Sequence, residues 1–152
     1  MKTNESLSFA GRLKIVLADK DGNIKDERDV DNRIVDDGLN YILNQMATSD
    51  QNVMTEMRVG EGSTDPAHNT GDLTTPITGG VATITHTSVS EGNQQLTYQA
   101  TFGTNVGTGN IQEAGIFNAD NTMLCMTTFP SVNKQALDTM TIIWVISVSA
   151  VV

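Results

Sequence analysis

An alternation of apolar and polar residues recurs along most of the chain, and it constrains the possible folds more than any other feature. The first clear example is RLKIVL, in which Leu13, Ile15 and Leu17 occupy one side of an extended segment. A period of two residues is typical of a β-strand with one buried face. The segments GGVATITHTSVS and QQLTYQATF repeat the pattern and are joined by EGN, which predicts a hairpin. The chain is therefore expected to be mostly β.

The segment DKDGN interrupts the first alternation. Asp21-Gly22 supplies a residue that tolerates positive φ, so residues 24–30 are expected to return as the second arm of a hairpin. This arm contains an unbroken run of charged residues, from Lys25 to Asp29, and has almost nothing to bury. Charged side chains on an edge strand discourage pairing with other chains. We therefore predict that this arm is an exposed edge of the sheet.

The period changes between residues 36 and 47, which the pattern predicts to be the one short α-helix. Asp36 or Asp37 suits the N-terminus of this helix. Apolar residues recur there at spacings of three and four, as on one face of a helix. We expect this face to pack across the end of a sheet, and its members are Val35, Leu39, Ile42, Leu43 and Met46.

The C-terminal half of the chain continues the β pattern. NIQEAGIFN and TMLCMTTF are joined by ADN and predict another hairpin. The last segment, TMTIIWVISVSAVV, is apolar on both faces, which favours a central strand or a subunit contact. About eight strands with frequent turn signals indicate a two-sheet antiparallel sandwich of jelly-roll type. We predict one sandwich domain over residues 12–152, preceded by an extended N-terminal arm of residues 1–11.

Composition limits the partners of such a domain. The chain has 152 residues, with 18 acidic against 9 basic side chains and a net charge of −9. An acidic surface repels nucleic acid and anionic membranes, so neither is expected as a direct partner. The one cysteine, Cys125, cannot form an intramolecular disulfide. The first residues lack the apolar core of a signal peptide, which favours synthesis in the cytoplasm.

Residues suited to catalysis are few and scattered in the sequence. Nucleophilic catalysis needs a base near the nucleophile, and the histidines are His68, in a loop, and His86, on a polar strand. Cys125 lies between apolar neighbours, which is typical of a buried hydrophobic residue. Asp36 and Asp37 are adjacent on a helix, so their side chains diverge by about 100° and make a poor catalytic pair. We therefore predict that the protein is not an enzyme.

The loop VGEGSTDPAHNTGDL, residues 59–73, is the strongest candidate for a ligand site. A phosphate-binding loop needs a lysine and a following helix, and this segment has neither. Calcium binding through Glu61, Asp65 and Asp72 is an open alternative, although such loops more often hydrogen-bond to their own backbone. DKDGN lacks the glutamate that a calcium loop places at its twelfth position. The sequence predicts no cofactor and no metal.

Several motifs together resemble a family of tailed-bacteriophage virion structural proteins. Members open with D-x-x-G…N-x-I-v-x-x-G, which is matched by DKDG and NRIVDDG, and continue with a v-G-x-G-x-T-x-P loop, which is matched by VGEGSTDP. They carry E-A-G-I/L-F, here EAGIF, before an F…k-x-x-x-d-x-x-x-I-x-W-x-I ending. The resemblance covers nearly the whole chain. It implies a virion protein of the capsid decoration (cement) type or of the tail-, neck- and fibre-associated type.

The first of these types leads to the function expected from the sequence. A decoration protein binds the outer surface of the assembled head, so the implied partner is the major capsid protein lattice and the implied location is the capsid exterior. Such a protein stabilises the assembled state because it binds only that state. The alternative is a tail, neck or fibre-attachment protein. A glycan-cleaving enzyme would need two opposed carboxylates, and the sequence offers no such pair.

Candidate contact residues follow from the two ends of the sequence. Phe9, Arg12 and Lys14 are predicted to contact the lattice, with solvated strand positions as an equal alternative for Arg12 and Lys14. A homotrimer would cover some exposed strand edges against sister copies. Ile143, Trp144 and Val145 are predicted to lie at the trimer contact or in the core. The core is the stronger expectation for Trp144, since it is a lone tryptophan in an apolar strand.

Overall fold

The computed structural model describes residues 4–48 and 51–151, which form one helix and nine strands. The helix is α1 (Asp36–Ala47). The strands are β1 (Ser6–Ala18), β2 (Ile24–Asp31), β3 (Arg33–Ile34), β4 (Met54–Gly60), β5 (Pro76–Ser90), β6 (Gln95–Phe102), β7 (Gly109–Asn118), β8 (Met123–Lys134) and β9 (Thr139–Val151). The prediction of a mostly β chain with one short helix is confirmed.

The strands pair antiparallel in one sheet of order β2-β1-β9-β6-β5-β4-β7-β8-β3, and this sheet nearly closes into a barrel. The two edge strands, β2 and β3, are consecutive in the chain and are separated only by Asn32. Asn32 N–H donates to the carbonyl of Gly11 at 3.0 Å, while the Thr127 hydroxyl donates to the carbonyl of Asp31 at 2.7 Å. The chain therefore passes from one edge of the sheet to the other at this point.

The predicted two-sheet, jelly-roll-like sandwich is corrected to this nearly closed barrel. The physical reason is the length of β5, which pairs with β4 through Val81–Thr83 and with β6 from Ile84 onward. One strand thus belongs to both halves of the sheet. Alternation in the sequence shows which side of a strand is buried, but it does not show that two predicted sheets share a strand.

The barrel interior is filled by inward-facing side chains of every long strand. β9 is central, as its apolar sequence predicts, and it lies between β1 and β6. Side chains from these three strands stand side by side in buried rows, namely Leu13–Trp144–Tyr98, Ile15–Ile142–Ala100 and Leu17–Met140–Phe102. Strands β7 and β8 are buried on both faces, because a second cluster covers them from outside: Val35, Leu73, Phe117, Met123 and Met126.

The helix begins and ends where the sequence predicts, but its buried face differs. Gly38 and Tyr41 are buried, whereas Leu39, Leu43 and Met46 are 38%, 61% and 78% exposed. A Cβ on Gly38 would lie 2.0 Å from the carbonyl oxygen of Leu124. The absent side chain at Gly38 lets the helix backbone approach β8 closely. The predicted apolar face is therefore wrong, because this approach turns most of its members toward solvent.

The N-terminal segment also differs from the sequence prediction. Residues 6–11, predicted as part of an extended arm, are the first half of β1 and pair with β9, from Ser6 opposite Val151 to Gly11 opposite Ile146. The rest of the predicted arm includes residues 1–3, which lie outside the described residues. β9 extends beyond its last partner on β6, so its end is free to pair with the start of β1. The predicted hairpin between β1 and β2 is confirmed, with Gly22 at φ 85°.

Candidate partner-binding surface

A buried carboxylate organises the loop of residues 59–73. Glu113 lies on β7 and is 0% exposed. Its Oε1 accepts hydrogen bonds from the backbone N–H of Thr75 at 2.7 Å and of Gly62 at 3.2 Å, and its Oε2 accepts one from Thr74 N–H at 2.9 Å. Hydrogen bonds from N–H groups to a carboxylate are about twice as strong as those between neutral groups. Glu113 thus holds both ends of the loop against the barrel wall.

The glycines of this loop serve the same contact. A Cβ on Gly60 would lie 2.3 Å from Glu113 Oε1, and a Cβ on Gly62 would lie 2.8 Å from it. Real Cβ atoms do not approach oxygen so closely, so both positions need glycine for the carboxylate to fit. The glycines therefore surround an anion that the protein itself supplies. This arrangement explains the VGEG sequence without a bound phosphate.

The three acids considered for calcium make separate contacts. Glu61 accepts a hydrogen bond from Asn110 N–H at 3.1 Å, Asp65 accepts one from the Thr128 hydroxyl at 2.5 Å, and Asp72 accepts one from Leu73 N–H at 2.7 Å. Among the residues that the structure describes, no group of three or more His, Cys, Asp or Glu side chains is placed to hold a metal ion. Each carboxylate acts as a hydrogen-bond acceptor, Asp72 within the loop and Glu61 and Asp65 toward β7 and β8.

Two residues of the sequence motifs, Asn32 and Trp144, contact each other where the chain crosses from β2 to β3. Trp144 is 0% exposed, and its Nε1–H donates to Asn32 Oδ1 at 3.0 Å. Gly11 lies against the same amide, since a Cβ there would be 1.7 Å from Asn32 Oδ1. Trp144 therefore belongs to the core, and its side chain is not available to a partner. Asn32 Nδ2 is buried without a hydrogen-bond partner.

A third group lies at the turn before β9. Lys134 is 0% exposed and donates from Nζ to the carbonyl of Gly103 at 2.8 Å. Asp138 accepts hydrogen bonds from Lys25 Nζ at 2.7 Å and from Gln135 N–H at 2.9 Å. The hydrogen bond from Lys25 is the main cause that lowers the pKa of Asp138, while burial lowers the pKa of Lys134. These contacts attach β2 to the β8–β9 turn.

Four of the six predicted contact residues share the outer face of β1 and β9. Arg12 is paired in register with Val145, and Lys14 is paired with Ile143. The two basic side chains are exposed, and Lys14 Nζ lies 2.7 Å from Glu27 Oε1. Phe9 lies on the opposite face and packs against the core. The structure thus groups Arg12, Lys14, Ile143 and Val145 but separates Phe9 and Trp144 from them.

The residues considered for catalysis do not meet. His68 is exposed in the loop, and its carbonyl accepts a hydrogen bond from Asp36 N–H at 2.7 Å. His86 is exposed on β5, opposite Gln99. Cys125 is 0% exposed on β8, and burial raises the pKa of its thiol. Three candidate groups on three separate elements form no catalytic arrangement.

An apolar cleft that sequence reasoning missed lies beside the start of β1. It has a volume of about 390 Å³, and the residues that line it include Leu7, Phe9, Asn32, Arg33, Leu39 and His68. Leu7 is 65% exposed. The sequence assigned Leu39 to a buried helix face and residues 1–11 to an arm, so it placed no cleft between them. One signal was available, since SLSFA at residues 6–10 is an uncharged segment in an acidic chain.

Comparison with known proteins identifies the family. No helix among residues 4–48 and 51–151 is long and apolar enough to span a membrane. No curated protein and no solved structure matches the chain. A family model described as phage tail-collar fibre protein, N-terminal, matches residues 30–150, which include Asn32, Glu113 and Trp144. The chain therefore belongs to the phage tail-collar fibre proteins, a family of structural proteins of the tailed-phage virion.

Proposed function

We propose that this chain is a non-catalytic component of the phage tail that attaches a fibre to the particle. The family match carries the proposal, because it describes a tail-collar fibre protein and covers most of the chain. The structure supports it through the use of the motif residues. Glu113, Asn32 and Trp144 are engaged in contacts within the fold, so the motifs specify a framework and leave binding to the surface.

Capsid decoration was the leading expectation from the sequence, and nothing in the family match supports it. The same holds for the major capsid protein lattice as partner and for the capsid exterior as location. The resemblance implied both head and tail types, and the family that matches is a tail type. We therefore adopt the alternative, a tail- or fibre-attachment protein within the virion.

A homotrimer remains part of the proposal. The outer face of β1 and β9 offers half-buried Ile143 and Val145 beside exposed Arg12 and Lys14. Apolar side chains bordered by charges of both signs suit a contact between sister copies. Native mass spectrometry of the full chain tests this point. A trimer mass is expected, and a strictly monomeric mass at micromolar concentration would contradict it.

Location in the particle tests the proposed function. An epitope tag on the exposed turn at Gly92, where a Cβ would meet no atom within 4 Å, is expected to leave the fold unchanged. Gold-labelled antibody should then mark the tail of intact particles, and quantitative mass spectrometry should find a few copies per particle. Label spread over the head, at a copy number near that of the major capsid protein, would overturn the proposal in favour of decoration.

A further inference from the structure

The start of β1 presents an open strand edge. β1 pairs with β9 along its whole length, but its pairing with β2 ends at Arg12 opposite Asp31. The Gly11 carbonyl accepts from Asn32 N–H, so the backbone groups of Gly11 point away from β9. Alternate residues of an antiparallel strand direct their backbone groups to the same side. The N–H and C=O groups of Leu7 and Phe9 therefore point to a side where no described strand pairs with them.

This edge lacks the features that normally protect one. Natural proteins cover an edge strand or place charges or proline on it. β2, which covers the rest of this side of β1, follows the rule, since six of its eight residues are charged. Residues 6–10 contain neither a charge nor a proline. An uncharged open edge in a chain of net charge −9 is a surface able to accept another strand.

One residue that lines the cleft beside this edge has an unused hydrogen-bond donor. Asn32 Nδ2 is the one buried side-chain nitrogen or oxygen without a partner among the residues described, and Asn32 lines the cleft with Leu7 and Phe9. A buried donor without an acceptor destabilises the free protein. A strand bound in the cleft would satisfy it by uncovering Nδ2 and placing a backbone carbonyl against it.

The cleft also contains an unpaired positive charge. Eight of the nine basic side chains fall within the described residues, and Arg33 is the only one of these eight with no hydrogen bond or ion pair. Arg33 is exposed and lines the cleft. In a protein with twice as many acids as bases, a free arginine at an open edge selects a partner that carries a carboxylate.

We propose that this cleft binds an extended segment of another virion protein, which pairs with residues 6–10 as an added strand. The segment places apolar side chains against Leu7, Phe9 and Leu39 and a carboxylate against Arg33. Five residues of edge span roughly 17 Å, and backbone pairing supplies affinity while the alternate side chains supply specificity. The proposal rests on the proposed attachment function, because it names the surface by which the chain is attached.

Reconstitution of particles that lack this protein tests the added strand. Leu7→Pro removes an N–H from the open edge, whereas Leu7→Ala shortens the same side chain and keeps the N–H. We expect Leu7→Pro to lower the copies per particle at least tenfold and Leu7→Ala to lower them less than threefold. Both variants should keep the wild-type urea midpoint. Equal incorporation of Leu7→Pro and wild type would overturn the proposal.

Charge substitutions at Arg33 test whether the partner carries a carboxylate. Arg33→Glu should reduce incorporation at least tenfold and Arg33→Lys less than threefold, since lysine keeps the charge. Lys20→Glu is the matched control, because Lys20 is exposed and pairs with Asp21 at the far end of β1. Incorporation of Arg33→Glu at the level of Lys20→Glu would exclude a carboxylate partner and overturn the proposal.

Photocrosslinking keeps the proposal falsifiable even if Leu7→Pro fails to fold. A benzophenone amino acid at position 7 should crosslink to a different virion protein in assembled particles, whereas one at the exposed Ile24 of β2 should not. A crosslink from position 7 to a second copy of this chain, or none at all, would overturn the proposal. The proposed function is tested separately by the antibody label. Label on the head would contradict that function, whichever protein the edge contacts.

Discussion

The two halves of β1 have the same sequence pattern and opposite environments. Leu13, Ile15 and Leu17 alternate with polar residues and are at most 2% exposed, because β2 and β9 flank them and the barrel lies beneath them. Leu7 and Phe9 continue the alternation, yet Leu7 is 65% exposed. The first half lacks β2 and borders a cleft, so that Leu7 is left exposed while Phe9 is half-buried against the core. Burial is thus decided by neighbouring elements, and the unburied half is the part left available for a partner.

Truncating one leucine in each half of β1 should show the largest difference in stability. Leu13→Ala is expected to lower the free energy of unfolding by about 2–5 kcal/mol, since it leaves a cavity in a packed core. Leu7→Ala should change it by less than about 0.5 kcal/mol, as at other exposed sites. Urea denaturation of the two variants measures both values. Similar losses at both sites would mean that the start of β1 is packed as part of the core.

Loss of the Glu113 hydrogen bonds should give the next largest effect on the free energy of unfolding. Glu113→Ala leaves three backbone N–H groups without their acceptor, and we expect a loss of about 3 kcal/mol in the free energy of unfolding. Glu113→Gln keeps one oxygen acceptor and should lose about half as much. Urea midpoints measure the difference, and amide exchange should show faster opening of residues 61–75 in the alanine variant. A Glu113→Ala protein as stable as wild type would remove Glu113 from the framework.

The close contact of α1 with β8 should give the third largest effect on stability. Gly38→Ala places a Cβ 2.0 Å from the Leu124 carbonyl oxygen, which forces the helix away from the barrel. Overpacking of this kind costs about 1–3 kcal/mol. Gly92→Ala is the matched control, since a Cβ at Gly92 meets no atom within 4 Å. Equal thermal midpoints for the two alanine variants would contradict the described packing of the helix.

The contact between β2 and the turn before β9 should have the smallest effect and should depend on pH. The folded-state pKa of Asp138 is lowered, chiefly by the hydrogen bond from Lys25. A lowered pKa contributes stability above the unfolded value near 3.9, and this contribution is lost as the pH falls through the folded value. The stability difference between wild type and Asp138→Asn should therefore be constant above about pH 5 and shrink below about pH 4. Urea midpoints across this range measure it, and a difference that grows on acidification would contradict the assignment.

Much of the fold could be predicted from the sequence because it is encoded locally. The turn at Asp21-Gly22, the bounds of α1 and the central position of β9 follow from turn chemistry, period and apolar content. Barrel closure does not, since it depends on the crossing at Asn32 and on β5 serving both halves of the sheet. The helix face was wrong for a similar reason. Gly38 has no side chain to score as apolar, yet its lack of a Cβ decides which face meets β8.

The candidate surface was less predictable than the fold. The sequence assigned Arg12 and Lys14 to one predicted contact and Ile143 and Val145 to another. Only the pairing of β1 with β9 places the four on one face, and their role as contacts stays a prediction. Glu113 was visible as an acid within the apolar segment EAGIF, although its hydrogen-bond partners come from a distant loop. The cleft at Leu7 and Arg33 joins β1, β3 and α1, and the uncharged segment SLSFA was its one signal in the sequence. The matched family range begins at residue 30 and does not include the open edge.

Hydrogen exchange of the free chain and of the chain in assembled particles tests whether the motif residues build the framework while the start of β1 makes the attachment. In the free protein, we predict fast exchange at the amides of Leu7 and Phe9 and slow exchange at those of Leu13 and Ile15. In particles, the amides of Leu7 and Phe9 should become protected at least tenfold, while residues 59–75 exchange as they do in the free chain. Protection that appears at residues 59–75 and leaves Leu7 and Phe9 unchanged would contradict the account.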